Sequence, residues 1–274
     1  MCELLGLSSR GDVAFRYSLE AFALHGGATH ANKDGWGVSF RSGRETFLVK
    51  EAAPASDSPW VRLMESQEID TSLVLAHVRR ASQGQLTLEN THPFKREMGG
   101  RVHVFAHNGD VSPVIESFPQ QEAHNQPVGD TDSEHAFCLL LERLYRAWTG
   151  PGDEPDLDAR MQVLAEFGRD LRRFGTANFL YSDNEFLFVH ADKRRYDDGG
   201  VVSEPRWPGL QLFQHRAGEA KRFSAAGVEV GASEGPMTVV ASLPLYDEEH
   251  WESIPEGTVL ALRDGEIVAR VDEA

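Results

Sequence analysis

The sequence predicts an α+β protein whose helices and strands form separate layers. Stretches 132–148 and 157–174 repeat apolar residues at helical spacing, while many shorter stretches read as strands. The strands come in runs and do not alternate strictly with helices, which favours layers over a parallel βαβ sheet. With 274 residues, 41% of them hydrophobic, the chain can bury a sizeable core.

The first third contains two helix signals and a hairpin. The predicted elements are a helix over 15–24, strands over 35–40 and 46–50, and a helix beginning at 59. Ser58 and Pro59 suit an N-cap and a first helical position. Trp60, Leu63 and Met64 would then form the apolar face of this helix, with a packing role only.

Two buried strands are expected over 72–78 and 101–107. The first delivers His77, Arg79 and Arg80 at its end. The second stops at Asn108-Gly109, a turn dipeptide that suits positive φ.

A long polar loop over 113–129 leads to a capping box. Thr131 is the predicted N-cap, and Glu134 is expected to reach back to it. This places Asp132 in the first turn of a helix that extends to about residue 148. Cys138, inside the helix, is expected to be a small buried apolar residue.

The second half is read as one helix followed by strands. A helix over 157–174 precedes strands at 178–181, 185–190, 210–213, 237–242, 259–263 and 266–271. A polar loop over 192–209 interrupts them and is either a lid or ordinary surface.

Charge and cysteine content limit the partners, the cellular location and the metal sites that we expect. The net charge of −16 repels phosphate backbones and anionic lipids, so we expect neither nucleic acid nor membrane as a partner. Because the sequence shows no signal peptide and no apolar run of membrane-spanning length, we expect a cytoplasmic protein. Cys2 and Cys138 are expected to be free thiols, and no C-x-x-C pair suggests zinc.

Cys2 is the candidate nucleophile. It directly follows Met1, and its small side chain would allow an aminopeptidase to remove that methionine. The exposed α-amine, with a pKa of about 7.7 to 8.0, could then take the proton of the thiol on the same residue. Removal of Met1 is a condition of this reading.

Four separated features suit cleavage of the side-chain amide of glutamine. Cys2 supplies a nucleophile, Arg79 a forked cation for the α-carboxylate, and Asp132 a carboxylate for the α-ammonium. Asn108-Gly109 supplies neutral donors for the oxyanion that forms on thiolate attack.

The pattern resembles the class II glutamine amidotransferases, and more closely their stand-alone YafJ-type members. The segments that carry the resemblance are Met1-Cys2-Glu3-Leu4-Leu5-Gly6, Lys33-Asp34-Gly35-Trp36-Gly37, His77-Val78-Arg79, Glu89-Asn90-Thr91-His92-Pro93-Phe94, Ala106-His107-Asn108-Gly109 and Thr131-Asp132-Ser133-Glu134. The resemblance implies an N-terminal-nucleophile enzyme with a four-layer αββα sandwich. We read residues 1–274 as one such domain.

The resemblance also implies a role for each matched residue. Cys2 would attack the glutamine δ-carbonyl and form a glutamyl thioester, with its α-amine moving the proton. Asn108 and Gly109 would form the oxyanion hole. Arg79 and Asp132 would hold the substrate's carboxylate and amine, with Ser82 assisting Arg79.

Structural alternatives exist for several of these residues. Arg79 could be a surface arginine at a strand end, and Asp132 could serve only the helix dipole. Asn108-Gly109 could be a hairpin turn as well as a donor pair. His103 and His107 have ligand spacing for a helix but fall in a strand, so we expect no metal and no cofactor. His92 is expected to orient the loop beneath the site rather than to act as a base.

The substrate stays open at this point. No synthase or sugar-isomerase domain follows the matched segments, so one reading is a glutaminase that delivers ammonia to a partner protein. A second is a hydrolase of γ-glutamyl amides or peptides in glutathione or thiol metabolism. A third is a catalytically silent binding or regulatory protein with the same fold.

Overall fold

A computed structural model describes residues 2–17, 34–54, 58–79, 85–117, 123–148, 154–196, 198, 201–215, 223–225, 228–231, 235–245 and 250–273. The helices are α1 (Pro59–Glu65), α2 (Val114–Ser117), α3 (Asp132–Ala147) and α4 (Leu157–Arg172). The strands are β1 (Glu3–Tyr17), β2 (Trp36–Ser42), β3 (Glu45–Glu51), β4 (Ile69–Val78), β5 (Phe94–Met98), β6 (Arg101–Asp110), β7 (Thr176–Ser182), β8 (Leu187–His190), β9 (Gln211–His215), β10 (Phe223–Ala225), β11 (Val228–Val230), β12 (Met237–Ala241), β13 (Glu252–Ser253), β14 (Val259–Arg263) and β15 (Glu266–Val271).

The strands form two antiparallel sheets. The first has the order β13-β9-β12-β1-β4-β2-β3, with β11 also on β1 and β10 on β11. The second has the order β15-β14-β8-β7-β6-β5. Leu4 of β1 pairs with His77 of β4, and Asn108 of β6 pairs with Asn178 of β7. These four strands lie centrally in their sheets and carry the candidate site.

Three apolar layers hold the sheets and helices together. Between the sheets lie Leu4, Leu75, Ala106, Leu180 and Leu260. The outer face of the first sheet packs Leu5, Val38 and Val74 against Val61 of α1. The outer face of the second sheet packs Phe105 and Phe179 against Leu140 of α3 and Phe167 of α4. Burial on both faces explains why the central strands are nearly continuous apolar runs, and the predicted αββα layering is confirmed.

Two local predictions in the first third were wrong where the structure describes them. Residues 15–17 continue β1 instead of starting a helix, because Phe15 pairs with Ile69 and Val230 and packs in the core. Residues 18–24 of that predicted helix lie outside the described residues. In α1 the Ser58 cap is confirmed, but Val61 and Met64 are the buried positions, whereas Trp60 and Leu63 are exposed.

Asn108-Gly109 is not a turn. Both residues lie inside β6 and pair with Asn178 and Ala177 of β7. The local turn signal is overridden because the sheet supplies a partner strand for the whole segment. In the part of the chain that the structure describes, no helix is long and apolar enough to cross a membrane.

Candidate active site

Cys2, Asn108 and Arg79 converge at one end of the sandwich because of strand alternation. Side chains along a strand point alternately to the two faces of a sheet. Leu4 and Ala106 face the space between the sheets, so Cys2 and Asn108, two residues away from them, share that face. Arg79 directly follows β4 and has the same parity as the inward-facing Leu75. Sequence positions far apart are thereby brought to one end of the space between the sheets.

Cys2 and Asn108 are in direct contact. The Asn108 side-chain N–H donates to the Cys2 carbonyl oxygen at 2.7 Å, and Cys2 is partly exposed. The carboxamide carries two N–H groups, so one remains for another acceptor. The predicted nucleophile and the predicted oxyanion donor are therefore neighbours.

The Asn108 backbone is held in place by Asn178. The Asn178 amide donates to Asn108 O at 3.4 Å and to Lys193 O at 2.7 Å, and its oxygen accepts the Asp192 N–H at 2.8 Å. Our sequence reasoning missed Asn178. Its signal was a polar amide within an apolar strand.

Gly109 allows a close backbone approach. A Cβ at this position would lie 1.8 Å from Thr176 O and 2.7 Å from the His107 ring. Any side chain would push β6 away from β7 and displace the neighbouring Asn108. A glycine is required here on steric grounds.

Arg79 is buried with only 5% of its surface exposed. Its backbone N–H donates to Gly35 O at 2.9 Å, and Nη1 donates to Gln85 O at 3.3 Å. Gly35 has a φ of 121°, which a residue with a side chain rarely adopts. The surface-arginine alternative is wrong, because the guanidinium is enclosed. Ser82 lies outside the described residues.

Asp132 is the first residue of α3 and serves more than the helix dipole. Its Oδ2 accepts the Val111 N–H at 2.8 Å, and the Ser133 hydroxyl donates to Oδ1 at 3.2 Å. Thr131 caps the helix by accepting the Glu134 N–H at 3.3 Å, as predicted. Asp132 thus connects the helix start to the end of β6.

The reciprocal half of the predicted capping box is wrong. Glu134 accepts the Gly129 N–H at 2.7 Å and pairs with Arg96. The 1%-exposed carboxylate is better stabilised by a guanidinium than by the capping residue's N–H. Sequence spacing alone does not reveal the arginine, which comes from β5.

Two buried histidines lie beside the site. The rings of His77 and His92 are 4.2 Å apart, and their four ring nitrogens have no hydrogen-bond partner among the described residues. Burial, followed by Arg79 and His107, lowers the pKa of His77 to about 3. Burial and the neighbouring His77 also hold the pKa of His92 well below its usual range. Both histidines are therefore neutral at pH 7, and neither is identified as a general base.

His103 and His107, the two histidines considered as metal ligands, are hydrogen-bonded within the protein. His103 contacts the Tyr181 hydroxyl at 2.7 Å and Met98 O at 3.0 Å. His107 contacts the Ser133 hydroxyl at 2.9 Å and Thr176 O at 3.3 Å. Over the described ranges, no group of three or more His, Cys, Asp or Glu side chains could hold a metal ion.

Comparison with known proteins identifies the family. A family model for class II glutamine amidotransferases matches residues 1–274. The putative glutamine amidotransferase YafJ of Escherichia coli is 32% identical, over 94% of this chain and 95% of its own. The crystal structure of a predicted glutamine amidotransferase from Pseudomonas aeruginosa superposes with a TM-score of 0.73 at 32% identity, covering 98% of this chain and all of the other.

A more distant structure shares the fold alone. The glutamine phosphoribosylpyrophosphate amidotransferase of Bacillus subtilis is 15% identical and has a TM-score of 0.58, covering 99% of this chain and 49% of that one. Layered sheets, the Cys2–Asn108 contact and the full-length family match agree with one another. The chain belongs to the class II glutamine amidotransferases, enzymes with an N-terminal cysteine nucleophile.

Proposed function

We propose that this protein hydrolyses the side-chain amide of glutamine, or a γ-glutamyl amide, through a thioester on Cys2. The observation that carries the proposal is the 2.7 Å contact between Asn108 and Cys2 O, which puts an amide donor beside the nucleophile. Family membership supports glutamine as the substrate.

Attack begins once Met1 has been removed. The α-amine of Cys2 accepts the thiol proton, and near pH 7 roughly a tenth or more of such amines are unprotonated. Sγ then bonds to the amide carbon, and the carbonyl electron pair moves onto oxygen. The Asn108 side-chain N–H and the Gly109 backbone N–H stabilise this oxyanion.

Collapse of the tetrahedral intermediate releases ammonia. The C–N bond breaks, and the leaving nitrogen takes the proton held by the α-amine. Water then adds to the thioester carbon and gives a proton to the α-amine. The C–S bond breaks, the α-amine returns that proton to the thiolate, and the product ionises to glutamate. We further propose that the ammonia passes to an acceptor protein.

Two charged residues select the substrate's amino-acid end. Arg79 would bind the α-carboxylate with its forked guanidinium, and Asp132 would bind the α-ammonium. Support comes from the burial of Arg79 at the end of β4 and the fixed position of Asp132 beside β6. Ser82 would assist Arg79, and this assignment rests on the resemblance.

The test compares glutamine with a panel of γ-glutamyl peptides on purified protein. Ammonia release from glutamine would support the proposal, and release of an amine or peptide would favour the γ-glutamyl hydrolase. Mass spectrometry would report loss of Met1 and labelling of Cys2 by a glutamine-mimicking electrophile. Cys138→Ala, which removes the buried thiol of α3, is the matched control for Cys2→Ala. A Met1-free protein that takes no label and releases nothing would contradict the proposal and point to a silent binding protein.

A further inference from the structure

A buried ion pair lies next to the nucleophile in the chain. Arg194 donates to both oxygens of Glu3, from Nη1 at 3.0 Å and from Nη2 at 2.7 Å. The side chains of Glu3 and Arg194 are 4% and 2% exposed. A guanidinium held by both carboxylate oxygens fixes orientation as well as distance. Residue 3 is thereby tied to a residue 191 positions away.

Arg194 also holds the strand beside β1. Its Nη1 donates to Ser242 O at 2.9 Å. Ser242 brackets Leu4, because the Leu4 N–H donates to Ser242 Oγ at 3.0 Å and the Ser242 N–H donates to Leu4 O at 3.1 Å. The first residues of β1 are thus fixed from one side by backbone bonds and at Glu3 by the ion pair.

This anchoring determines where Cys2 points. Successive side chains of a strand face opposite ways, and Leu4 faces the space between the sheets while Leu5 faces outward. Glu3 shares the outward parity of Leu5. With Glu3 held on that side, strand alternation places Cys2 on the face between the sheets, which Asn108 shares.

Arg194 is itself held on a firm support. It exchanges two backbone hydrogen bonds with Arg206, at 3.0 and 2.8 Å. Both guanidinium groups make cation–π contacts with the Tyr196 ring, Arg194 at 5.2 Å and Arg206 at 4.6 Å from the ring centroid. These contacts hold Arg194 in place, so the segment after β8 supports β1 at the point where Arg194 contacts Glu3.

The charges at this end are also coupled. Burial disfavours a charged guanidinium, but Glu3, Tyr196 and Cys2 together outweigh that cost, so the pKa of Arg194 is raised. By reciprocity, Arg194 favours the Cys2 thiolate. Titratable groups on the neighbouring elements include His77 and Arg79 at the end of β4, His107 and Asp110 on β6, Asp132 on α3, and Arg195, Asp198 and Arg206 in the segment after β8.

We propose that Arg194 is a positioning residue for Cys2, acting through Glu3 to orient the nucleophile towards the substrate. The proposal rests on the proposed function, in which Cys2 attacks the amide. In this proposal, the part of the 192–209 segment that contains Arg194 supports the nucleophile and does not act as a lid.

The primary test is the kinetics of Arg194→Met and Arg194→Lys with glutamine. We expect Arg194→Met to lower kcat by about tenfold to a hundredfold with KM unchanged, because the nucleophile is misplaced while the substrate clamp is intact. Arg194→Lys keeps the charge but not the fork, so it should recover part of the loss. The matched control is Arg160→Met, which breaks the buried Arg160–Asp183 pair at the other end of the sandwich. The control should lower Tm and leave kcat unchanged.

A second measurement does not depend on glutamine turnover. Glu3→Gln leaves the Arg194 charge uncompensated beside Cys2, so the pH midpoint for alkylation of Cys2 by iodoacetamide should fall by about one pH unit. Cys138 serves as an internal reference, because burial raises the pKa of its thiol to about 12. This measurement decides the proposal if Arg194→Met does not fold, or if the wild-type protein hydrolyses no glutamine. In the latter case the proposed function fails on its own.

The proposal is overturned if folded Arg194→Met keeps the wild-type kcat while losing stability as Arg160→Met does. Where kinetics are not accessible, an unchanged alkylation midpoint in Glu3→Gln overturns it. Either result would make the ion pair purely structural.

Discussion

The two ends of the β-sandwich each hold a buried arginine–carboxylate pair, in different surroundings. At the end away from Cys2, Arg160 pairs with Asp183 at 2.7 Å and with Glu185 at 3.1 Å. Arg101 and Arg263 extend the network through Glu185. At the Cys2 end, Arg194 pairs with Glu3 next to a partly exposed thiol and two buried neutral histidines.

The Arg160 pair belongs to a network of charged residues that contact one another, whereas the Arg194 pair lies beside the proposed nucleophile. A cavity of about 410 Å³ opens at the Arg101 end, lined by several arginines and acids that pair with one another. A cavity lined by charged groups does not by itself mark a catalytic site. The thiol, the amide donor and the enclosed Arg79 all lie at the opposite end, so chemistry is the better guide to the site.

The largest expected effect is at the thiol. Cys2→Ala should abolish hydrolysis, because loss of a nucleophile in an enzyme that works through a covalent intermediate can cost about a millionfold in turnover. Single-turnover ammonia release is the measurement. Retained glutamine hydrolysis in Cys2→Ala would show that the Cys2 end is not the catalytic end.

Breaking the far-end pair should affect stability alone. In Arg160→Met the buried Asp183 loses its guanidinium, and such a change costs about 3 to 5 kcal/mol of unfolding free energy. Urea unfolding gives this value, and kcat at a temperature where the variant is folded should match the wild type. A fall in kcat for the folded variant would erase the distinction between the two ends.

Removing the oxyanion donor should slow the chemical step. Asn108→Ala should cost about 2.7 to 4 kcal/mol of transition-state stabilisation, or a hundredfold to a thousandfold in kcat. Asn184→Gly is the matched control, since Asn184 lies in the β7–β8 connection at the far end with a φ of 68°. Equal losses in both variants would argue against a specific role for Asn108.

Removing the acidic half of the clamp should weaken substrate binding. Asp132→Asn keeps the acceptor for the Val111 N–H but loses the charge, so KM for glutamine should rise about tenfold to a hundredfold, the loss of a charged hydrogen bond. Asp110→Asn, an exposed neighbour bonded to Ser112, is the control. An unchanged KM in Asp132→Asn would remove this residue from the clamp.

The remaining effect is a pH dependence of stability at the Cys2 end. The folded pKa of His77 is about 3, below its ordinary value of 6.5, so the unfolded chain takes up a proton that the folded chain does not. Stability should therefore fall as pH drops from 6.5 towards 3, by up to about 1.4 kcal/mol per pH unit for this histidine.

His77→Leu should reduce that slope. Denaturant unfolding across this pH range measures the slope, and His250→Gln, at an exposed histidine, should leave it unchanged. An identical slope in His77→Leu and the wild type would show that His77 takes up its proton in the folded state.

The sequence by itself determined much of the secondary structure and the chemistry-bearing residues. Strong apolar periodicity placed α3 and α4, and the Ser58 and Thr131 caps were read correctly because a cap is a local interaction. Cys2, Asn108, Arg79 and Asp132 were selected from residue chemistry and order along the chain. Their catalytic and binding roles stay proposals, as does the single domain over 1–274.

Only the tertiary structure decided what depends on distant partners. Residues 15–17 and Asn108-Gly109 became strand because another strand was available, which no local pattern encodes. Glu134 pairs with Arg96, which lies far away in the sequence. The positions of Glu3 and Asn178 likewise become informative only once their contacts with Arg194 and Asn108 are seen. Local backbone preferences are worth about 1 kcal/mol, whereas buried pairing and burial are worth several, so contacts distant in sequence prevail where the two conflict.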